Sequence, residues 1–247
     1  MKFMRPDENM VLYGSVTGGA ATGYTDDWLV DGKPGRPAKE PNGSPGGIAW
    51  AITGLASMEV GLVVIANHNL QAGLTIPVTG GGGLSATITT PTARANGIPF
   101  NAWAETVTPV TTNTITVTIP PNSADIIVGE VLAGKLREVD PGILMGDTWE
   151  FLAGSELPYG TATALPGYDN GVVQRAVSCT VYGTQATKDL LEGWWEATRG
   201  NTRPSVLIPH DCINDAMVGH LTRFSAQTAS GLWRVTFTFV EYARTRW

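Results

Sequence analysis

The segment Gly61 to Val78, GLVVIANHNLQAGLTIPV, contains an unbroken apolar run from Leu62 to Ala66. A strand with one wet face alternates, so such a run marks a strand buried on both faces or one inside a sandwich core. Asn67, His68 and Asn69 end the run with side chains suited to bonding their own backbone, and Gly73 offers a positive φ before Leu74 to Val78 resumes. The segment therefore reads as strand, polar turn and strand, the central hairpin of a β-sandwich. Its polar tip reads first as turn chemistry, then as a subunit contact or ligand loop.

Composition extends this reading to the whole chain. The 247 residues suffice for one large sandwich or two smaller domains. Charged residues make up 15%, with 30 glycines and 16 prolines, and this favours short strands and many turns. A net charge of -6 without a clustered Lys/Arg face argues against a phosphate-binding, nucleic-acid surface. No run approaches a membrane span. MKFMRPDENMVLYGS lacks the apolar core of a secretory signal, so synthesis in a cytosol is expected and the Asn42 glycosylation sequon is taken as silent. Cys179 and Cys212 make neither a disulfide framework nor a zinc site and are read as buried small hydrophobes, a single disulfide between them being the alternative.

Residues 1–23 read as an extended N-terminal arm. Within DDWLVDGKPGRPAKEP, Trp28 and Leu29 form an apolar anchor in a loop that prolines 34, 37 and 41 keep extended. Asp26, Asp27 and Asp31 cluster as a calcium loop would, but without the regular alternation of an EF-hand, so a solvated turn is favoured. Ile48 to Ile52 reads as a strand with Trp50 on the core face, Leu84 to Thr90 as another, and Thr111 to Ile119 as a third with Ile115, Val117 and Ile119 inward. Phe100 and Trp103 lie near a loop. Residues 141–172, rich in Gly and Pro, read as a connecting arm.

From Gln174 the pattern changes. Arg175 to Tyr182 alternates as a strand. Thr187 to Arg199 reads as a short amphipathic helix with Thr187 as N-cap, Gly200 as C-cap and Leu190, Leu191, Trp194 and Trp195 inward. Adjacent tryptophans lie ~100° apart on a helix, which leaves one of them available to an interface. Pro204 to Pro209 and Met217 to Gln227 follow as strands. Leu232 to Tyr242 closes the chain with Trp233, Val235, Phe237 and Phe239 alternating with Arg and Thr after a Ser230-Gly231 turn.

The loop DGKPGRP, the strand and turn VVIANHNL, then GLTIPV and the strand ADIIVGEVLAGKLREV at Ala124 to Val139 resemble an N-terminal module of tailed-bacteriophage structural proteins, similar to the galactose-binding-like or discoidin-like jelly roll. The order strand, helix, strand, strand, strand, with RGNTRPSVLIP and GLWRVTFTFVEY, resembles the C-terminal halves of phage tail and tail-tip proteins. The resemblance implies a mainly β chain in which a jelly-roll-like antiparallel sandwich over 24–140 precedes a smaller α+β domain over 173–247 with one short helix. It also implies a non-enzymatic virion component that assembles with itself and with other phage structural proteins.

The ligand loops of such sandwiches would fall at Asp26 to Arg36, Asn67 to Asn69 and Phe100 to Trp103. Trp103 beside Asn101 and Glu105 is the best sugar platform, so recognition of a host surface glycan is the alternative function. His68, His210 and His220 lack metal-ligand spacing, and His210, Asp211 and Cys212 would point to opposite faces of a strand. No catalytic, metal or cofactor residues are assigned.

Overall fold

The structure is a computed structural model that describes residues 1–18, 23–40, 47–92, 100–121, 124–139, 144–152, 172–198, 203–209, 216–229, 231–242 and 244–245. In chain order, the first half holds β1 (Lys2–Met4), β2 (Ser15–Thr17), β3 (Ala38–Glu40), β4 (Ile48–Thr53), β5 (Met58–His68), β6 (Thr75–Gly80), β7 (Ser85–Thr89), β8 (Ala102–Thr112), β9 (Ile115–Ile119) and β10 (Ile126–Gly134). The second half holds β11 (Arg137–Glu138), β12 (Leu144–Leu152), β13 (Val172–Gly183), α1 (Gln185–Thr198), β14 (Ser205–Ile208), β15 (Met217–Ala229), β16 (Leu232–Glu241) and β17 (Arg244–Thr245). Short 3-10 turns cover Pro6–Glu8, Asp26–Val30 and Gly81–Gly83.

These strands make three antiparallel sheets. A five-stranded sheet runs β2-β4-β9-β6-β7 and a four-stranded sheet β3-β10-β5-β8. An eight-stranded sheet runs β11-β1-β14-β15-β16-β13-β12, with β17 also paired to β13. The chain is thus mainly β with one helix among the described residues, as the sequence indicates. Three apolar cores set the order of the layers.

The first core lies between the five- and four-stranded sheets, where Trp50, Ile52, Ile76, Val78, Ile115, Val117 and Ile119 meet Val63, Ile65, Val128 and Val131. The second lies on the other face of the four-stranded sheet, where Leu62, Val64, Ala66 and Leu132 meet Met4, Val206, Ile208 and Val218 of the eight-stranded sheet. The third places Leu191 and Trp194 of α1 against Phe3, Val177, Leu207, Phe237 and Phe239. Odd and even positions of β5 feed different cores, which is why Leu62 to Ala66 is apolar without alternation. The run sits in the middle layer and is buried throughout.

Gly61 to Val78 is not a hairpin, however. β5 belongs to the four-stranded sheet and β6 to the five-stranded one, so the turn carries the chain across the first core. Gly73 has the expected positive φ of 79°. A second crossing divides Thr111 to Ile119, because β8 ends at Thr112 in one sheet and β9 begins at Ile115 in the other. The strand from Ala124 onward is internal, with β10 pairing β3 on one side and β5 on the other.

Residues 1–23, read as a lead-in, contribute β1 and β2. β1 pairs β14 and β11, its Phe3 entering the helix-side core and its Met4 the sandwich-side core. Three residues thereby stitch the two halves of the chain together. Gly134, at the end of β10, makes this possible: the Glu8 carbonyl oxygen lies 1.8 Å from where its Cβ would be. Asn9 holds the same approach, its Oδ1 accepting from Ala133 N at 3.2 Å while Met10 N donates to Ala133 O at 2.8 Å. Gly134→Ala is expected to destabilise the protein by roughly 1–3 kcal/mol, as overpacking does, read as a lowered urea midpoint.

In the C-terminal part, α1 begins at Gln185, two residues before the expected start, so Thr187 lies inside the helix rather than at its N-cap. Thr184 accepts the first-turn bond instead, from Lys188 N at 3.1 Å. Gly200 lies outside the described residues. Leu144–Leu152, within the stretch read as a connecting arm, is strand β12, paired to β13. The β15–β16 hairpin closes where expected, with Gly231 at φ 81°. Cys179 is buried; Cys212 and the Asn42 sequon lie outside the described residues.

Candidate functional site

The polar end of β5 faces inward, against the chain's own second half. Asn67 is buried with φ 50°, its N–H donating to Asn101 Oδ1 at 2.9 Å and its Nδ2 to Pro34 O at 2.7 Å. Asn101 Nδ2 donates on to Ala216 O at 2.7 Å. These amides tie β5, the 31–36 loop and the start of β15 into one junction. The cavity left there, about 10 Å³ between Pro34, Asn67, Asn101, Val218 and Tyr242, is no larger than a water needs.

His68 is buried too, and its Nδ1 accepts from Leu70 N at 3.2 Å. Asn69 imitates a strand residue, donating from Nδ2 to Asp125 O at 2.6 Å and accepting at Oδ1 from Ile127 N at 2.9 Å. Turn chemistry accounts for Asn67 to Asn69, and their partners are intramolecular.

The loop with Asp26, Asp27 and Trp28 is a 3-10 turn whose carboxylates bond within the sandwich. Asp26 Oδ1 accepts from Trp50 Nε1 at 3.2 Å and Asp27 Oδ1 from Val16 N at 3.0 Å. Leu29 and Val30 plug the first core beneath them. Trp28 is half-buried, lies edge-on to Tyr24 at 5.6 Å and carries the Arg36 guanidinium 4.2 Å from its ring centroid. Among the described residues no group of three or more His, Cys, Asp or Glu side chains is placed to hold a metal ion.

Behind this loop stands a carboxyl group that sequence reading did not single out. Glu130 on β10 is fully buried; its Oε1 accepts from Gly32 N at 3.1 Å and its Oε2 has no hydrogen-bond partner. Burial pushes this carboxyl well above the ordinary range, opposed by the Gly32 N–H bond and reinforced by Asp31. Burial also raises Asp31, against its bond from Lys33 N. A carboxyl raised in the folded state binds its proton more tightly there than in the unfolded chain. Its stabilising contribution is whole below the unfolded value and is lost as pH rises towards the folded one. The stability difference between Glu130→Gln and the native chain is therefore expected to shift in favour of the variant from about pH 4 to about pH 8, measured as urea midpoints.

Trp103 and its neighbours do not form the open platform expected from sequence. Trp103 pairs in register with Val64 and is half-buried against the second core, Asn101 is buried, and Glu105 Oε1 takes a 2.7 Å hydrogen bond from Lys2 Nζ. Phe100 is half-buried just ahead of β8. Trp103 does form one wall of an open cleft of about 310 Å³, with Thr89, Thr90 and Pro91. Thr90 is committed there, its Oγ1 accepting from Leu74 N at 2.8 Å.

The paired tryptophans of α1 divide as the helical wheel requires. Trp194 is fully buried, stacked on Phe3 at 4.3 Å and edge-on to Phe237 at 5.6 Å. Trp195 is half-buried on Phe224 at 6.1 Å. His220 is half-buried beside Tyr242, and burial lowers its imidazole from the ordinary value. His210 and Asp211 lie outside the described residues.

On the face of the eight-stranded sheet opposite α1, Arg223, Ser225, Gln227 and Arg234 are exposed. There β15, β16 and β13 align in rows, Arg223–Thr238–Ser178 and Ser225–Thr236–Thr180. Ser178 and Thr238 hydroxyls bond at 3.0 Å, and those of Thr180 and Thr236 at 3.3 Å. The alternation of Arg234, Thr236 and Thr238 with buried Val235, Phe237 and Phe239 carried this signal in the sequence.

No protein-family model matches the chain, and comparison with curated proteins gives no match. Solved structures give partial likenesses. The lectin domain of lectinolysin complexed with Lewis B antigen is 15% identical, over 52% of this chain and 96% of that one, at a TM-score of 0.40. The family 32 CBM from C. perfringens NanJ in complex with galactose is 12% identical, over 55% and 100%, at 0.39. A Streptococcus pneumoniae fucose binding module is 12% identical, over 51% and 94%, at 0.38.

Proposed function

We propose that this chain is a structural component of a tailed-phage particle, in the tail, tail tip or neck, and that it acts by assembling with copies of itself and with other particle proteins. The observation that carries the reading is the open, hydroxyl-lined face of the eight-stranded sheet on a body whose layers are stitched together by β1. An ordered, polar sheet face suits repeated packing against neighbours. The resemblance of both halves of the sequence to phage structural proteins points the same way. Antibodies raised against the chain should decorate intact particles at a fixed position; particles that stay unlabelled, and whose protein content lacks the chain, overturn the reading.

A second reading, recognition of a host glycan, has one observation in its favour: the cleft walled by Trp103. An aromatic wall beside the exposed Thr89 is a partial sugar platform. Titration of the native chain and of Trp103→Ala with host cell-wall polysaccharide tests it. Binding weakened by about two- to tenfold or more by the substitution supports this reading, since stacked aromatics are worth about 0.5–1.5 kcal/mol beyond their burial. Equal or absent binding by both removes it.

A further inference from the structure

We propose, resting on the assembly reading above, that a second copy of this chain docks the outer face of its helix α1 on the open face of the eight-stranded sheet. The partner is identified by charge. Arg223 and Arg234 are exposed on the sheet face and make no ion pair among the described residues. The other aligned positions in the rows of Arg223 and Arg234 on β15, β16 and β13, and in the row between them, are Ser, Thr, Tyr and Gln; the nearest acidic position in register on this face, Glu150 of β12, is aligned with Ala176, one row beyond Arg223. Two exposed arginines that make no ion pair on one sheet face are unexpected on a chain whose net charge is -6.

The complement lies on the opposite side of the same sheet. Helix α1 carries Asp189, Glu192 and Glu196 at positions that share one outer stripe, and Asp189 and Glu196 are exposed. Its one basic residue, Lys188, pairs with Glu192 and, at 3.5 Å, with Asp189, and lies 5.5 Å from the Trp233 ring centroid, so three carboxylates on the stripe face a single cation. The outward surface of the helix is therefore acidic.

Dimensions agree. Asp189 and Glu196 are seven residues apart, about 10 Å along a helix axis. Arg223 sits opposite Thr238, four residues along β16 from Arg234, so the two arginines are about 13 Å apart at strand rise. Long guanidinium side chains span the difference. Because the two complementary faces lie back to back on one sheet, docking is head-to-tail and propagates to a ring or an open filament rather than stopping at a two-fold dimer.

Sedimentation velocity on the full chain tests this with two variants, R223E/R234E and D189K/E196K. The native chain should assemble, more weakly as salt rises from about 0.05 to about 0.5 M. Each variant alone should associate more than about tenfold more weakly, since like charges then face each other. A one-to-one mixture should assemble again, because the acidic sheet face of the first variant meets the basic helix of the second, and the unaltered faces meet as in the native chain. Misfolded variants would not be rescued by mixing. Variants that assemble like the native chain overturn this interface and leave the assembly reading intact, whereas a native chain that stays monomeric at every concentration and salt overturns both.

Discussion

Trp194→Ala is expected to lower stability by about 3–5 kcal/mol, the range for truncating a fully buried aromatic. The indole packs between layers, stacked on Phe3 and touching Phe237 and Phe239, so its loss opens the core under α1. The effect should not stay local. Phe3 is held in β1, whose next residue, Met4, packs on the sandwich side, and a loosened β1 weakens the contact between the two halves of the chain. Urea unfolding should show a lower midpoint, and hydrogen exchange should rise in both α1 and β1. Trp195→Ala, which removes a half-buried ring, should cost far less; equal effects of the two would contradict the assignment of Trp194 as the buried partner.

The second large effect is expected at the ion pair between Arg175 on β13 and Glu241 at the end of β16. The two side chains are 6% and 1% exposed and meet through two bonds, Nε to Oε2 at 2.7 Å and Nη2 to Oε1 at 3.0 Å. Truncating one member leaves a buried charge without its counterion and should cost about 3–5 kcal/mol. Glu241 also lines the small junction cavity, next to Tyr242, whose N–H donates to Val218 O at 2.8 Å. Arg175→Met combined with Glu241→Met should be milder than the sum of the two single changes, because no charge is then stranded. A double-mutant cycle in chemical unfolding reads this directly; additive losses would contradict it.

The two halves of the protein differ in how far their sequence announced them. Leu62 to Ala66 was legible because burial on both faces removes alternation, and Ile115, Val117 and Ile119 because burial on one face preserves it. Helix α1 and the terminal hairpin were legible for the same reason. The path between strands was not: Asn67 to Gly73 has residues that suit any turn, and whether the chain returns in the same sheet or crosses to the next depends on partners far along the sequence. β1 was hidden by its length, since three residues show no period. The junction was hidden for another reason. Asn67, Asn101 and Glu130 look like surface polar residues, and only their long-range partners put them inside.

Long-range partners likewise separate the Asp26–Asp27 and Asn67–Asn69 loops, whose polar groups are spent within the chain, from a sheet face that the sequence did not single out. Asp26, Asp27 and Asn67 to Asn69 satisfy backbone and side-chain groups of their own chain. The aligned Ser, Thr and Arg rows of β13, β15 and β16 instead face outward, on the side of the sheet opposite an acidic helix. In the proposed reading, these rows are the surface through which copies of the chain would meet.

The most direct measurement of that claim is the chain's copy number in purified tailed-phage particles, by quantitative mass spectrometry against isotope-labelled peptides. Assembly as a particle component predicts several copies in each particle, in a constant ratio to the other structural proteins. Particles that are infectious and contain no copies would contradict it.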